Sequence, residues 1–137
     1  MKKYKASVLV FSCVLLAWFL LTRNSITLQS EYDTYPQGIT SISVCLKNQT
    51  LRAIEYGAAF SVDQYVDGNW MRLGDPDKPI YFELWAKTLI PLSAVDLTYP
   101  VSLFSDLQEA GVYRLAIDVR SGTETETVFC SFTVSDK

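Results

Sequence analysis

The chain has 137 residues, with 12 Lys+Arg against 15 Asp+Glu and no histidine. Lacking imidazole, it has no access to the most used general base, the triads built on it or the commonest zinc ligand. Lys2, Lys3, Lys5 and Arg23 bracket an uncharged amino-terminal run, leaving eight basic residues against all fifteen acidic ones and a net of −7 for the remainder, a sign that repels phosphate backbones and argues against a nucleic-acid partner.

From Ala6 to Thr22 no residue is charged. About 17 residues at about 1.5 Å each give a helix of roughly 25 Å, the lower limit for a hydrocarbon core of about 30 Å. Residues 1–23 are therefore read as a membrane anchor. Three lysines before the run against Arg23 alone after it keep the amino end cytoplasmic and place everything downstream outside, at the cell membrane. The alternative is a secretory signal, cleaved to release the domain, although Leu20 to Ser25 lacks a small-x-small site. In a third reading Cys13 is lipidated, since Val10-Phe11-Ser12-Cys13 resembles a bacterial lipobox; the bulk of Phe11 and the apolar residues beyond Cys13 favour an ordinary helix position instead.

Residues 24–37 are polar, with Pro36 and no sustained period, and read as a loosely ordered spacer before a domain over 38–137. From Ile39 the period becomes two, predicting a strand to Lys47 with Ile42, Val44 and Leu46 inward, then a turn at Asn48-Gln49-Thr50. That turn also matches a glycosylation sequon, and the unmodified turn is the preferred reading. A second strand is predicted over Tyr56–Val66, with Phe60 and Val62 inward.

Asp67-Gly68 suits the positive φ angles of a two-residue hairpin loop. Its register sets Val66 opposite Asn69, Tyr65 opposite Trp70, Asp63 opposite Arg72 and Val62 opposite Leu73, so that apolar faces apolar and acid faces base. Tyr65 and Trp70 then share a face opposite Phe60, Val62, Met71 and Leu73. They are either covered by loops or form an exposed interaction surface.

Residues 74–79 hold two prolines and read as a loop. Strands follow over Ile80–Ile90 and Val95–Leu103, separated by a turn at Pro91 to Ala94. Next comes one helical turn in Phe104–Gly111, with Ser105 as a possible cap and Gly111 as a stop. The remaining strands are Val112–Arg120, with Tyr113, Leu115, Ile117 and Val119 on one face, and Thr125–Val134. About seven strands spaced by turns predict an all-β antiparallel sandwich.

Cys45 and Cys130 invite a disulfide in an oxidising exterior. Strand parity opposes it, because Cys45 lies opposite the apolar face of its strand and Cys130 lies on that of its own. Both a disulfide and two reduced thiols stay open. Asp75 and Asp77, or Glu124 and Glu126, are the nearest approach to a carboxylate pair for glycoside chemistry, with a solvated loop or strand face the preferred reading of each, and Asp75 and Asp77 beside two prolines make no complete calcium ligand set. The expectation is no catalytic residue, no metal and no cofactor.

Gly111-Val112-Tyr113-Arg114-Leu115, preceded by Leu107 to Ala110 and followed by a Phe132-Thr133-Val134 strand, resembles the G-x-Y-x-L turn into a strand of immunoglobulin-like domains. With Phe60-Ser61-Val62 and Asp67-Gly68-Asn69-Trp70, it is similar to a family of bacterial immunoglobulin-like domains found in membrane-anchored and lipid-anchored extracytoplasmic proteins. The resemblance covers about Tyr35 to Val134 and implies an immunoglobulin-like sandwich in which Tyr113 makes a tyrosine-corner hydrogen bond or simply packs. It implies no activity, since sandwiches host many. Two function classes follow: a noncatalytic interaction module contacting a protein or cell-wall polymer at the membrane, or an extracytoplasmic sensor or regulatory subunit paired with another membrane protein.

Overall fold

Apolar side chains at every second position build the middle of the molecule. In the computed structural model, which describes residues 10–18, 25–104, 107 and 109–136, β3 (Ile42–Asn48) buries Ile42, Val44 and Leu46 on one face. Against them pack Tyr113, Leu115, Ile117 and Val119 of β9 (Gly111–Ser121) and Val128, Cys130, Phe132 and Val134 of β10 (Glu124–Ser135). These are the inward residues expected from alternation, and together they make one core.

Among the described residues, ten strands in two sheets surround that core. The smaller sheet has the order β1 (Ile26–Ser30), β3, β8 (Ser93–Tyr99). The larger runs β2 (Thr34–Pro36), β10, β9, β4 (Ile54–Gly57), β7 (Ala86–Leu89); β5 (Ser61–Val66) also pairs β9 and carries β6 (Asn69–Arg72) as its edge partner. Every pairing is antiparallel except β2 with β10, which is parallel.

Several expected boundaries move, each for a physical reason. Residues 24–37, expected as a loose spacer, contain two strands of one segment that switches sheets. Glu31 N–H donates to Ser43 O (2.9 Å) on the small sheet, and Thr133 N–H donates to Asp33 O (2.8 Å) on the large one. The switch at residues 31–33 breaks the alternation, so that only Leu28 and Tyr35 are buried. The expected strand over 56–66 divides into β4 and β5, which follow one another along β9. Tyr56 pairs Val119 and Ser61 pairs Ala116, so residues 57–60 bulge off the ladder. That bulge also explains the short β7. The β4–β7 ladder ends at Gly57 opposite Ala86, and of the expected strand Ile80–Ile90 only Ala86–Leu89 is paired among the described residues. Gly57 is required there, because an added Cβ would come within 2.9 Å of Trp85 O. The end of the predicted strand at 95–103 becomes a 3-10 turn, Val101–Leu103. Ser105, the possible cap, lies outside the described residues.

Residues 10–18 are helical and exposed throughout. Among the described residues no helix is long and apolar enough to cross a membrane. The rest of the expected anchor, residues 1–9 and 19–23, with Lys2, Lys3, Lys5 and Arg23, lies outside the described residues.

Cys13, Cys45 and Cys130 are free thiols. Burial pushes the Cys130 thiol up to about 11, and burial followed by the Asp96 carboxylate raises that of Cys45, so both stay protonated near neutral pH. Cys45 is half-buried on the outward face of β3 while Cys130 lies in the core, as their parities require.

Two buried tyrosines are expected to respond oppositely to loss of the hydroxyl. Tyr113 Oη donates to Glu109 O (2.8 Å), closing a tyrosine corner. Tyr99 Oη is buried without a hydrogen-bond partner among the described residues, and burial pushes its pKa up to about 12. Tyr113→Phe is therefore expected to lower stability by about 1 kcal/mol, whereas Tyr99→Phe leaves it unchanged or raises it by about 1 kcal/mol. Denaturant midpoints of the two variants check the opposite signs.

Candidate functional site: the outer face of the larger sheet

The β5–β6 hairpin forms because Asp67 (φ +49) and Gly68 (φ +83) adopt the left-handed turn that matches strand twist. Its register is the expected one, with Asp63 opposite Arg72, Tyr65 opposite Trp70 and Val66 opposite Asn69. Tyr65 and Trp70 meet with ring centroids 5.0 Å apart at an interplanar angle of 54°. They sit on the sheet's outer face with no loop folded over Tyr65, which is 47% exposed. Met71, expected inward, is exposed instead: β6 is an edge strand, and its inward side overhangs the core.

Pairing of β5 with β9 brings further residues to this face. Asp63 lies opposite Arg114, and Arg114 in turn opposite Ser131 of β10, beside Phe129. The Arg114 guanidinium is sandwiched, its Cζ 4.5 Å from the Trp70 ring centroid and 4.3 Å from that of Phe129. Arg114 Nε donates to Asp63 Oδ2 (2.7 Å), and Arg72 Nε donates to Oδ1 (2.5 Å). Only 3% exposed, Asp63 is thus a buried carboxylate with a cation on each oxygen. Burial alone would raise its pKa; the hydrogen bonds from Arg114 and Arg72 outweigh that and hold it below 3.8. The result is a row in which Tyr65 and Phe129 are exposed and Trp70 and Arg114 are half-buried, with the central cation held between two rings. Such a row offers ring faces, aliphatic edges and guanidinium donors, the groups enriched where surfaces bind partners. It presents no nucleophile and base in contact.

Tyr65 and Trp70 were legible as a pair from the hairpin. Arg114, Phe129 and the clamping role of Asp63 were not, because nothing local says that β5 lies beside β9. The other acidic neighbours carry no such arrangement: Asp75 Oδ1 accepts the N–H of Asp77 (2.9 Å) in a loop turn, and Glu124 and Glu126 are exposed near the β9–β10 turn. Among the described residues no group of three His, Cys, Asp or Glu side chains could hold a metal ion. An open cleft of about 430 Å³ lies behind Arg72, floored by Phe60, Leu73, Phe82 and Phe104 with Lys78 at its rim.

A family model for the bacterial Ig-like domain matches residues 22–133. The chain belongs to that family. The match begins before β1, so the Ig-like domain takes in the strands found within 24–37.

No curated protein matches the chain significantly in sequence. Among solved structures, the Ig-like domain is similar to the archaellum periplasmic stator protein FlaG from Sulfolobus acidocaldarius, with 20% identity over 79% of this chain and 100% of that one (TM-score 0.42). It is similar also to the CARDB domain of the PF1109 protein from Pyrococcus furiosus, with 18% identity over 82% and 92% (TM-score 0.37). The periplasmic chaperone SfaE shares 7% identity over 81% of this chain, which spans 57% of the chaperone's length (TM-score 0.42). Similarities this small carry no argument about what the Ig-like domain does.

Proposed function

We propose that this protein is a noncatalytic interaction or accessory module, held at the outer face of a bacterial membrane by its apolar amino-terminal segment and contacting a protein or cell-wall polymer through the outer face of its larger sheet. The observation that carries the reading is the Tyr65, Trp70, Arg114 and Phe129 row, in which three aromatic rings and a half-buried cation meet at a surface where Tyr65 and Phe129 stay exposed. A sheet face that needed only to be soluble would carry short polar residues there, as Thr125, Thr127 and Ser131 do elsewhere on β10. The lysine bias before an uncharged stretch of near-spanning length supports the topology, and membership of the bacterial Ig-like family is consistent with an exported domain.

Protease added to intact, wall-stripped cells is expected to remove the domain while leaving the amino-terminal segment in the membrane. Full protection of the domain would contradict the topology. An amino terminus near Ser25 on the mature protein would replace the tether with secretion.

A further inference from the structure

The chain enters the domain at Ser25, and the hydrogen bonds of Gln49 and Asn48 define what surrounds that point. Gln49 N–H donates to Ser25 O (3.0 Å), and Ser25 Oγ donates to Gln49 Oε1 (3.1 Å). The turn after β3 therefore lies beside the entry. Asn48, fully buried, then clamps that turn to the one between β7 and β8. Its Nδ2 donates to Arg52 O (2.8 Å), Leu89 O (3.3 Å) and Ile90 O (3.1 Å), while its Oδ1 accepts from Thr50 N (3.1 Å) and Oγ1 (2.7 Å). The two turns so joined carry Leu51, Ile90 and Leu92, which are 65%, 64% and 62% exposed.

Leu92 adds an independent observation. It follows Pro91 in the β7–β8 turn with φ +56, a conformation in which glycine or asparagine sits without strain and leucine does not. Folding gains nothing from an exposed leucine held there, so its use points outside the domain. The Asp67-Gly68 turn lies at the other end of β9 and is polar at its tip, while the β9–β10 turn, with Glu124 exposed, lies at the Leu51, Ile90 and Leu92 end.

The apolar run ends at Thr22, three residues before Ser25, a reach of about 10 Å even when fully extended. If that run lies in a bilayer, Ser25 lies within that distance of the lipid, and the turn beside it, joined through Asn48 to the β7–β8 turn, is the part of the domain next to the anchor. We infer that this end of the sandwich seats on the membrane surface, with Leu51, Ile90 and Leu92 entering the boundary between headgroups and acyl chains. That boundary is the depth, about 5–10 Å, to which apolar faces of interfacial helices are buried. Seating would fix the domain's orientation and turn the Asp67-Gly68 end, with the neighbouring Tyr65 and Trp70, away from the lipid. The inference rests on the tether proposed above, and its test separates the two.

The full-length protein, with Cys13→Ala and Cys45→Ser and the buried Cys130 retained, is reconstituted into vesicles of phosphatidylcholine with phosphatidylglycerol. A nitroxide is placed by Leu51→Cys, Leu92→Cys or, as the distal control, Asp67→Cys. Its collision with oxygen, which concentrates in lipid, is compared with its collision with a water-soluble nickel chelate. At positions 51 and 92 oxygen is expected to dominate several-fold, and at 67 the chelate. Flotation with the vesicles while positions 51 and 92 resemble 67 would overturn the seating and leave the tether standing. Failure to float would overturn both. Shielding of 51 and 92 from both reagents, relieved by diluting the protein in lipid, would assign this end to contact with a second copy and equally overturn the lipid reading.

Discussion

Asp63→Ala is expected to lower the stability of the domain by about 3 kcal/mol, the scale on which a buried ion pair fails when one partner is removed. Its carboxylate pairs with two guanidinium groups at once, Arg72 Nε at 2.5 Å and Arg114 Nε at 2.7 Å. The two arginines differ in freedom. The Arg72 side chain is 64% exposed and can turn to water, whereas that of Arg114 is 25% exposed and held between the Trp70 and Phe129 rings. Removing Asp63 thus strands Arg114, so Arg72→Ala should cost far less, about 0.5–1 kcal/mol, as exposed partners do. Because the folded-state pKa of Asp63 is depressed below 3.8, its contribution is fully present above that value and is lost as pH falls through the lower, folded-state value. Denaturant titrations of the wild type and Asp63→Asn at neutral and acid pH check both points. The variant should be weaker at neutral pH, and the gap should narrow under acid conditions.

Asn48→Ala is the second large loss, expected at about 3 kcal/mol. The side chain has no solvent contact, shares its two N–H bonds among the carbonyls of Arg52, Leu89 and Ile90, and accepts from the amide of Thr50. Truncation leaves several of these groups unpaired where water reaches them poorly, and each such group costs about 1–3 kcal/mol. Asn48→Asp should be at least as damaging at neutral pH, since a carboxylate would face carbonyl oxygens that need a donor. Thermal midpoints of both variants measure this. The same geometry settles how the Asn48-Gln49-Thr50 sequon is used: its amide nitrogen is spent inside the fold, and the segment is a turn.

What the chain disclosed about itself followed the range of its interactions. β3, β9 and β10 were legible because each keeps a buried face over seven or more residues, and alternation alone states which side is in. The hairpin was legible because Asp67-Gly68 fixes register locally, and with it the Tyr65–Trp70 pair. Residues 26–36 were not, since a strand that changes sheets at 31–33 loses its period at the crossing. Residues 80–85, apolar and aromatic at five of six positions, suit a strand without stating which side is in, and they form no ladder past Ala86, where β4 ends at Gly57. The same reason hid half of the candidate surface. Arg114 and Phe129 could be placed on the outer side of their strands, but their meeting with Trp70 depends on β5 lying against β9, a contact between residues about fifty apart in sequence.

The proposal that this outer face meets a partner at the cell surface is tested most directly by a photoreactive amino acid placed at position 65 in intact cells. Thr98, exposed on the outer side of the smaller sheet, serves as the comparison. A discrete crosslinked adduct is expected from position 65 and none from 98, and Trp70→Ala should abolish the adduct while the domain stays folded. An adduct of equal yield from position 98, or none from 65 in cells that carry the folded protein at their surface, would contradict the account.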